Sequence, residues 1–189
     1  GTVKCDKGKL VSVSEGEILS SVEDRVIDGM DLYLSPGFID LHTHGAGGYD
    51  FMDGTVEAFL KSAEMHAKHG TTSLLPTTLT STNEELYSMF EIYKTAKSCN
   101  RIGASFMGLH LEGPYFSFNQ RGAQDPKYLK YPSPEEYMRI LDASDDIVRW
   151  SLAPELDGAL DMGRELCRRK ILPSIAHTDA IYEETIKAY

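Results

Sequence analysis

From residue 36 onward, two hydrophobic rhythms alternate. Near-continuous apolar runs at 36–45, 71–79, 104–113, 148–155 and 171–178 have the length and β-branched content of buried strands. Between and after them, at 55–70, 82–99, 133–144, 158–170 and 180–189, apolar residues recur every three to four positions, as on one face of a helix. The punctuation agrees with this pattern. Thr55 is placed to cap the first helix, with Phe59, Leu60, Ala63 and Ala67 on one face and Gly70 as its stop. Thr82 and Glu85 have the spacing of a capping box. Ser133 precedes Pro134 at a first helical position. Five strand–helix units in succession predict an α/β protein with a parallel sheet covered by helices. Such a sheet is either doubly wound or rolled into a β/α (TIM-type) barrel. No G-x-G-x-x-G follows the first strand, which removes the best sign of a dinucleotide fold. Residues 1–35 are different: "KGKLVSV", "GEILSS", "DRVIDG" and "LYLS" read as short, half-exposed strands with little core of their own. The expected division is therefore 1–35 as a small β domain segment and 36–189 as a barrel of about five βα units.

In a β/α barrel, chemistry sits at the C-terminal ends of the strands. The first run ends "DLHTHG", and the period of two puts His42 and His44 on one face together with Asp40. The third ends in Glu112 and the fifth in His177, while the second and fourth end in Pro76-Thr77-Thr78 and Pro154-Glu155. A carboxylate closing an apolar strand is costly unless something pairs with it. For Glu112 alone, an ion pair, catalysis and a metal ion all stay open, and His177 alone reads better as a hydrogen-bonded core histidine than as a ligand. Taken together, four donors at three strand tips point to a divalent metal of the Zn, Fe, Mn or Co kind. His110 shares the parity of Glu112 but lies deeper, which suits packing or support of a ligand. His66 and His69, near a helix C-terminus, are assigned no chemistry. Tyr115, Phe116 and Phe118 suit either a pocket wall or loop packing.

Charge and composition narrow the partners. With 29 acidic and 19 basic residues the net charge is −10, which disfavours nucleic acid. No apolar run approaches the ~20 residues of a membrane span. Cys5, Cys99 and Cys167 are widely spaced, with no C-x-x-C pair, as expected of a reduced cytoplasmic protein.

The segments "PGFIDLHTHG", "GLHLEGP" followed by "RGAQDP", and "IAHTDA", in that order, resemble the amidohydrolase superfamily. Within it, "HLEGP" with "GAQ" about ten residues later is similar to the N-acetylglucosamine-6-phosphate deacetylase family, and the likeness runs over residues 28–189. The resemblance implies a metal-dependent barrel flanked by a small β-sandwich, one or two divalent ions, and hydrolysis of N-acetylglucosamine 6-phosphate to glucosamine 6-phosphate and acetate. It implies metal roles for Glu112 and His177, a second-metal role for His42 and His44, and sugar contacts from Ala123 and Gln124, where other members carry His at the latter position. It also implies a homodimer of the full-length protein. The Asp that shuttles the proton in the family follows the last barrel strand. Asp179 does not match that position, so no catalytic residue is assigned within residues 1–189. The chain is expected to be part of a longer protein, with little turnover alone.

Overall fold

The computed structural model describes every residue except 17, 19, 23 and 31. Two compact units emerge, Gly1–Pro36 and Gly37–Tyr189.

In the first unit, strands β1 (Thr2–Asp6) and β2 (Lys9–Ser14) form an antiparallel hairpin. It turns at Lys7 and Gly8, whose φ angles of 48° and 73° are both positive. A two-residue turn of this hand matches the twist of the strands it joins. The strand β1 has too mixed a pattern to be anticipated from sequence. The apolar alternations at 24–29 and 32–35, expected as strands, form none. Val26, Ile27, Leu32 and Leu34 are exposed there, and without a neighbouring strand a short alternation gains nothing from being extended. In the expected strand at 16–21, positions 17 and 19 lie outside the described residues, and the described ones are not in a strand.

The second unit follows the predicted alternation. β3 (Phe38–Thr43) leads into a two-residue pair, β4 (Gly45–Ala46) with β5 (Tyr49–Asp50), then α1 (Val56–Lys68), β6 (Thr71–Pro76) and α2 (Asn83–Cys99). Next come β7 (Ser105–Phe106), β8 (Leu109–Glu112), α3 (Pro134–Ala143), β9 (Ile147–Leu152), α4 (Ala159–Arg168), β10 (Leu172–Ile175) and α5 (Tyr182–Ala188). The long strands are parallel and lie side by side in chain order, as two sheets, β3-β6-β7 and β8-β9-β10. One bridge, Thr77 to His110, joins them. The result is an open run of parallel βα units, without closure into a barrel among the described residues.

The helix starts are set by local chemistry. Thr55 Oγ1 accepts the Ala58 N–H at 3.1 Å, and Thr82 and Glu85 cap each other's backbone at 3.2 and 3.1 Å. Ser133 stands at the N-cap of α3 but makes no side-chain cap bond; its carbonyl instead accepts from Glu136 and Tyr137. The third apolar run, expected as one strand, is broken at Gly108. There φ is 140°, and a Cβ would lie 2.5 Å from Val148 Cγ1. The core lies between helices and sheets, around Phe51, Phe59, Tyr93, Phe106, Leu109, Ile140, Trp150 and Leu166. No helix among the described residues is long and apolar enough to cross a membrane.

Candidate metal centre

Three strand ends meet at the Glu112 carboxylate. Glu112 closes β8; its N–H donates to Thr78 Oγ1 at 3.0 Å, and its side chain is 4% exposed. Trp150 on β9 donates Nε1–H to the Gly113 carbonyl at 2.8 Å, anchoring the turn after it. β3 is tied to the segment after β6 beside His42 and His44: Thr77 N–H donates to the Thr43 carbonyl at 2.9 Å, and Thr43 N–H donates to Thr77 Oγ1 at 3.1 Å. Asp40 accepts the His42 N–H at 3.0 Å. It therefore braces the strand beneath His42.

The imidazoles share the carboxylate. His42 Nε2 is 3.1 Å and His177 Nε2 is 3.3 Å from Glu112 Oε1. His44 Nε2 is 3.2 Å from Oε2, and the Nε2 atoms of His42 and His44 are 3.3 Å apart. His42, His44 and Glu112 each offer a ligand atom within 4.8 Å of the others. His177 reaches the same carboxylate from β10's end but lies outside this tight trio. All four residues singled out in the sequence thus converge.

The other ring nitrogens decide what the convergence can do. His44 Nδ1 faces the Thr77 carbonyl at 3.3 Å, and His177 Nδ1 faces the Gln120 carbonyl at 2.8 Å. A carbonyl only accepts, so each Nδ1 carries the proton, and in a neutral ring Nε2 is left as a bare lone pair. Bare nitrogens aimed at an ionised carboxylate repel unless a cation lies between them, either a proton or a metal. The group titrations follow this. Hydrogen bonding to Glu112 raises the His44 pKa above its ordinary value against the effect of burial. Burial lowers that of His42, against the pull of Glu112 and with help from His44 and Arg149. Burial pushes Glu112 up, yet the His44 hydrogen bond and the charges of His42, His44 and His177 outweigh it and leave the carboxyl lowered. Nitrogen and carboxylate donors that converge with the carboxylate buried and the imidazoles partly exposed fit a divalent ion.

His177 has φ 49°, a conformation costly for any residue with a Cβ. Its neighbours hold it there. Ser117 N–H donates to its carbonyl at 2.9 Å, and Phe116 packs on the ring at 4.5 Å between centroids. Asp179 accepts from Ser117, from Asn119 at 3.2 Å and from Gln120 at 2.6 Å. Glu155 accepts the Thr178 hydroxyl at 2.5 Å and the Asp179 N–H at 2.7 Å. Asp179 and Glu155 are thus clasps of the loop that carries His177.

Of the remaining sequence candidates, Ala123 is exposed and Gln124 is buried. His110 lies fully buried beneath the centre, with Nε2 2.7 Å from Ser151 Oγ, Nδ1 3.2 Å from Thr77 Oγ1, and its ring edge-on to His42 at 4.7 Å. Burial, with Arg149 nearby, drives its pKa down to about 3, so the ring is neutral packing. His66 bonds Thr43 Oγ1 at 3.1 Å. Tyr115 stacks on Trp150 and packs the loop, Phe116 walls His177, and Phe118 is exposed under the Arg121 guanidinium. Sequence reading missed Arg149. It crosses from β9 to donate to the Leu41 carbonyl at 3.1 Å and to Ser174 Oγ at 2.7 Å. The signal was present: a cation inside the apolar run "IVRWSL" is as anomalous as Glu112 at the end of its own.

The family model described as "Amidohydrolase family" matches residues 33–189. The chain belongs to the amidohydrolase family, and its parallel units are of the TIM-barrel type found there. Within the family, it is similar to the N-acetylglucosamine-6-phosphate deacetylase of Vibrio furnissii, 32% identical over 183 residues that make up 93% of this chain and 46% of the relative. It is similar also to an N-acetylgalactosamine-6-phosphate deacetylase of Escherichia coli O157:H7, at 33% over 159 residues, 82% of this chain and 42% of the relative. Among solved structures, it matches a mutant N-acetyl-D-glucosamine-6-phosphate deacetylase of Mycobacterium smegmatis in complex with N-acetyl-D-glucosamine-6-phosphate. That match has a TM-score of 0.75 at 32% identity, covering 81% of this chain and 39% of that one. The chain spans less than half the length of each of these relatives.

Proposed function

We propose that this chain carries the metal-binding part of an amino-sugar-phosphate deacetylase, which hydrolyses the acetamide of N-acetylglucosamine 6-phosphate to glucosamine 6-phosphate and acetate. The observation that carries this reading is the convergence of three imidazole Nε2 atoms, of His42, His44 and His177, on the one Glu112 carboxylate at 3.1, 3.2 and 3.3 Å. His42, His44, Glu112 and His177 would hold one or two divalent ions of the Zn, Fe, Mn or Co kind. Such an ion supplies Lewis acidity, activating water and polarising the acetyl carbonyl. The residues do the rest. Thr77 and Gln120 fix the imidazole tautomers through their carbonyls, and burial of Glu112 keeps its charge concentrated on the ion. The loop at 121–124, with Ala123 at its surface, lies beside the centre and suits contact with the sugar. The five βα units read as the opening of an eight-stranded barrel, residues 1–35 as part of a β-sandwich, and the whole protein as a cytoplasmic homodimer. Three free, exposed cysteines support a reducing compartment.

The test is metal analysis and acetate release by the full natural protein. Acetate from N-acetylglucosamine 6-phosphate, with bound divalent metal, is the expected result. N-acetylgalactosamine 6-phosphate and an N-acetyl amino acid serve as competitors, and release from the amino acid alone would overturn the substrate class. Glu112→Gln removes the anionic donor and is expected to lower metal affinity and turnover by at least about 100-fold.

A further inference from the structure

Gln124 is 5% exposed, and both ends of its amide are engaged inside the protein. Nε2 donates to Glu112 Oε2 at 2.9 Å. Oε1 accepts the Thr80 N–H at 2.8 Å. Thr80 in turn lies against the turn after Glu112, where a Cβ on Gly113 would fall 2.1 Å from Thr80 Oγ1. The Glu112 backbone is held from the same stretch through Thr78 Oγ1. One segment after β6 therefore grips Glu112 twice, once at its N–H and once through the Gln124 amide. Among the described residues, the Glu112 carboxylate has four side-chain nitrogen neighbours, two on each oxygen. Three belong to imidazoles that an ion would claim. Gln124 is the fourth, a neutral donor with a permanent N–H that keeps its bond whether or not an ion is present.

We propose that Gln124 is a positioning residue: it fixes the rotation of the Glu112 carboxylate so that Oε1 and Oε2 face the imidazoles before any ion arrives. This rests on the metal reading above only for its consequence in affinity; the orientation itself is a property of the metal-free protein. A ligand held in place by a hydrogen bond loses less freedom on binding, and removing such a partner typically costs 10–100-fold in metal affinity. Gln suits the place because it donates to a carboxylate and accepts from a backbone N–H at once without adding charge. Asn lacks the length to reach both.

The experiment uses the full natural protein, with Gln124→Met as a shape-preserving variant, Gln124→Ala as the full truncation and Gln124→His as a partial rescue that keeps one N–H donor. Zn²⁺ affinity is read by competition with a chromophoric chelator. Gln124→Met and Gln124→Ala are expected to weaken it about 10–100-fold, with Gln124→His in between. At saturating metal, kcat should fall while KM for the sugar phosphate stays within about threefold. Unchanged metal affinity with a raised KM would overturn the proposal and make Gln124 a substrate contact alone. A second readout needs no metal: the side-chain amide protons of Gln124 in the chelated protein should exchange slowly and shift on Glu112→Ala. Freely exchanging amide protons there would overturn it as well. A wild-type protein that binds no metal yet shows a locked amide would sink the metal reading and leave the positioning role standing.

Discussion

His177 spends conformational energy to reach Glu112. Its left-handed backbone costs roughly 1–2 kcal/mol for a side chain with a Cβ, and the clasps from Ser117, Gln120, Glu155 and Asp179 hold it there. Replacing it separates the two effects. His177→Gly and His177→Ala both delete the imidazole, so both should lose metal affinity alike. The glycine variant should nevertheless be the more stable by about 1 kcal/mol, as read by urea denaturation of the metal-free forms. Equal stabilities would show that the backbone there carries no strain. At this scale the sequence was informative about which residues meet. His42, His44, Glu112 and His177 stand at strand tips, and period two together with the apolar runs locates those tips. What it did not reveal was orientation. The tautomers of His44 and His177 depend on carbonyls of Thr77 and Gln120, and the Gln124 bond depends on how the loop after β8 folds back. No local pattern encodes those meetings.

Between elements, one carboxylate does much of the fastening. Glu136 on α3 accepts from Asn83 at the start of α2 at 2.8 Å, from Lys130 at 2.5 Å, and from the Tyr115 hydroxyl at 3.0 Å. Burial pushes its pKa up, but the bonds from Lys130, Asn83 and Tyr115 prevail and leave it lowered. A carboxyl with a folded pKa below its unfolded value stabilises the fold fully above about pH 4.3. That contribution is lost as pH falls through the folded value. Glu136→Gln should therefore destabilise by about 1–2 kcal/mol at pH 7, with the gap to wild type closing below pH 4; a constant gap across pH would assign the loss to shape rather than charge. Helix starts were readable in advance because Thr55, Thr82 and Glu85 act over three residues of chain. In residues 1–35 the reading was uneven: the run at 7–13 became β2, whereas β1 and the alternations at 24–29 and 32–35 were misjudged, because a strand exists only with a partner. Thr2–Asp6 found one in Lys9–Ser14, whereas the apolar alternation at 32–35 has none among the described residues.

In the second unit as a whole, distant segments are tied at one rim. Arg149 joins β9 to the Leu41 carbonyl, 108 positions away, and His177 meets Glu112 across 65. The parallel order of the strands follows from the alternation of runs and helices alone, so the architecture was legible. The break at Gly108 was less so, because the obstacle to a side chain there is Val148, on a different strand.

Tips that lie far apart in the strand order share one carboxylate. β10 lies two strands from β8 in one sheet, and β3 lies in the other sheet, reached through the Thr77–His110 bridge; in a flat sheet, side chains two strands apart would stand about 10 Å from each other. Both instead touch Glu112 Oε1, at 3.1 and 3.3 Å. Gly108 stands between β7 of one sheet and β8 of the other, with its backbone at φ 140°. An alanine there, strained and pressed against Val148, should cost about 1–3 kcal/mol in urea denaturation and also splay the imidazoles, weakening metal binding from a position that touches no ligand. A Gly108→Ala protein that loses stability yet binds metal like wild type would mean that the rim keeps its shape by other means.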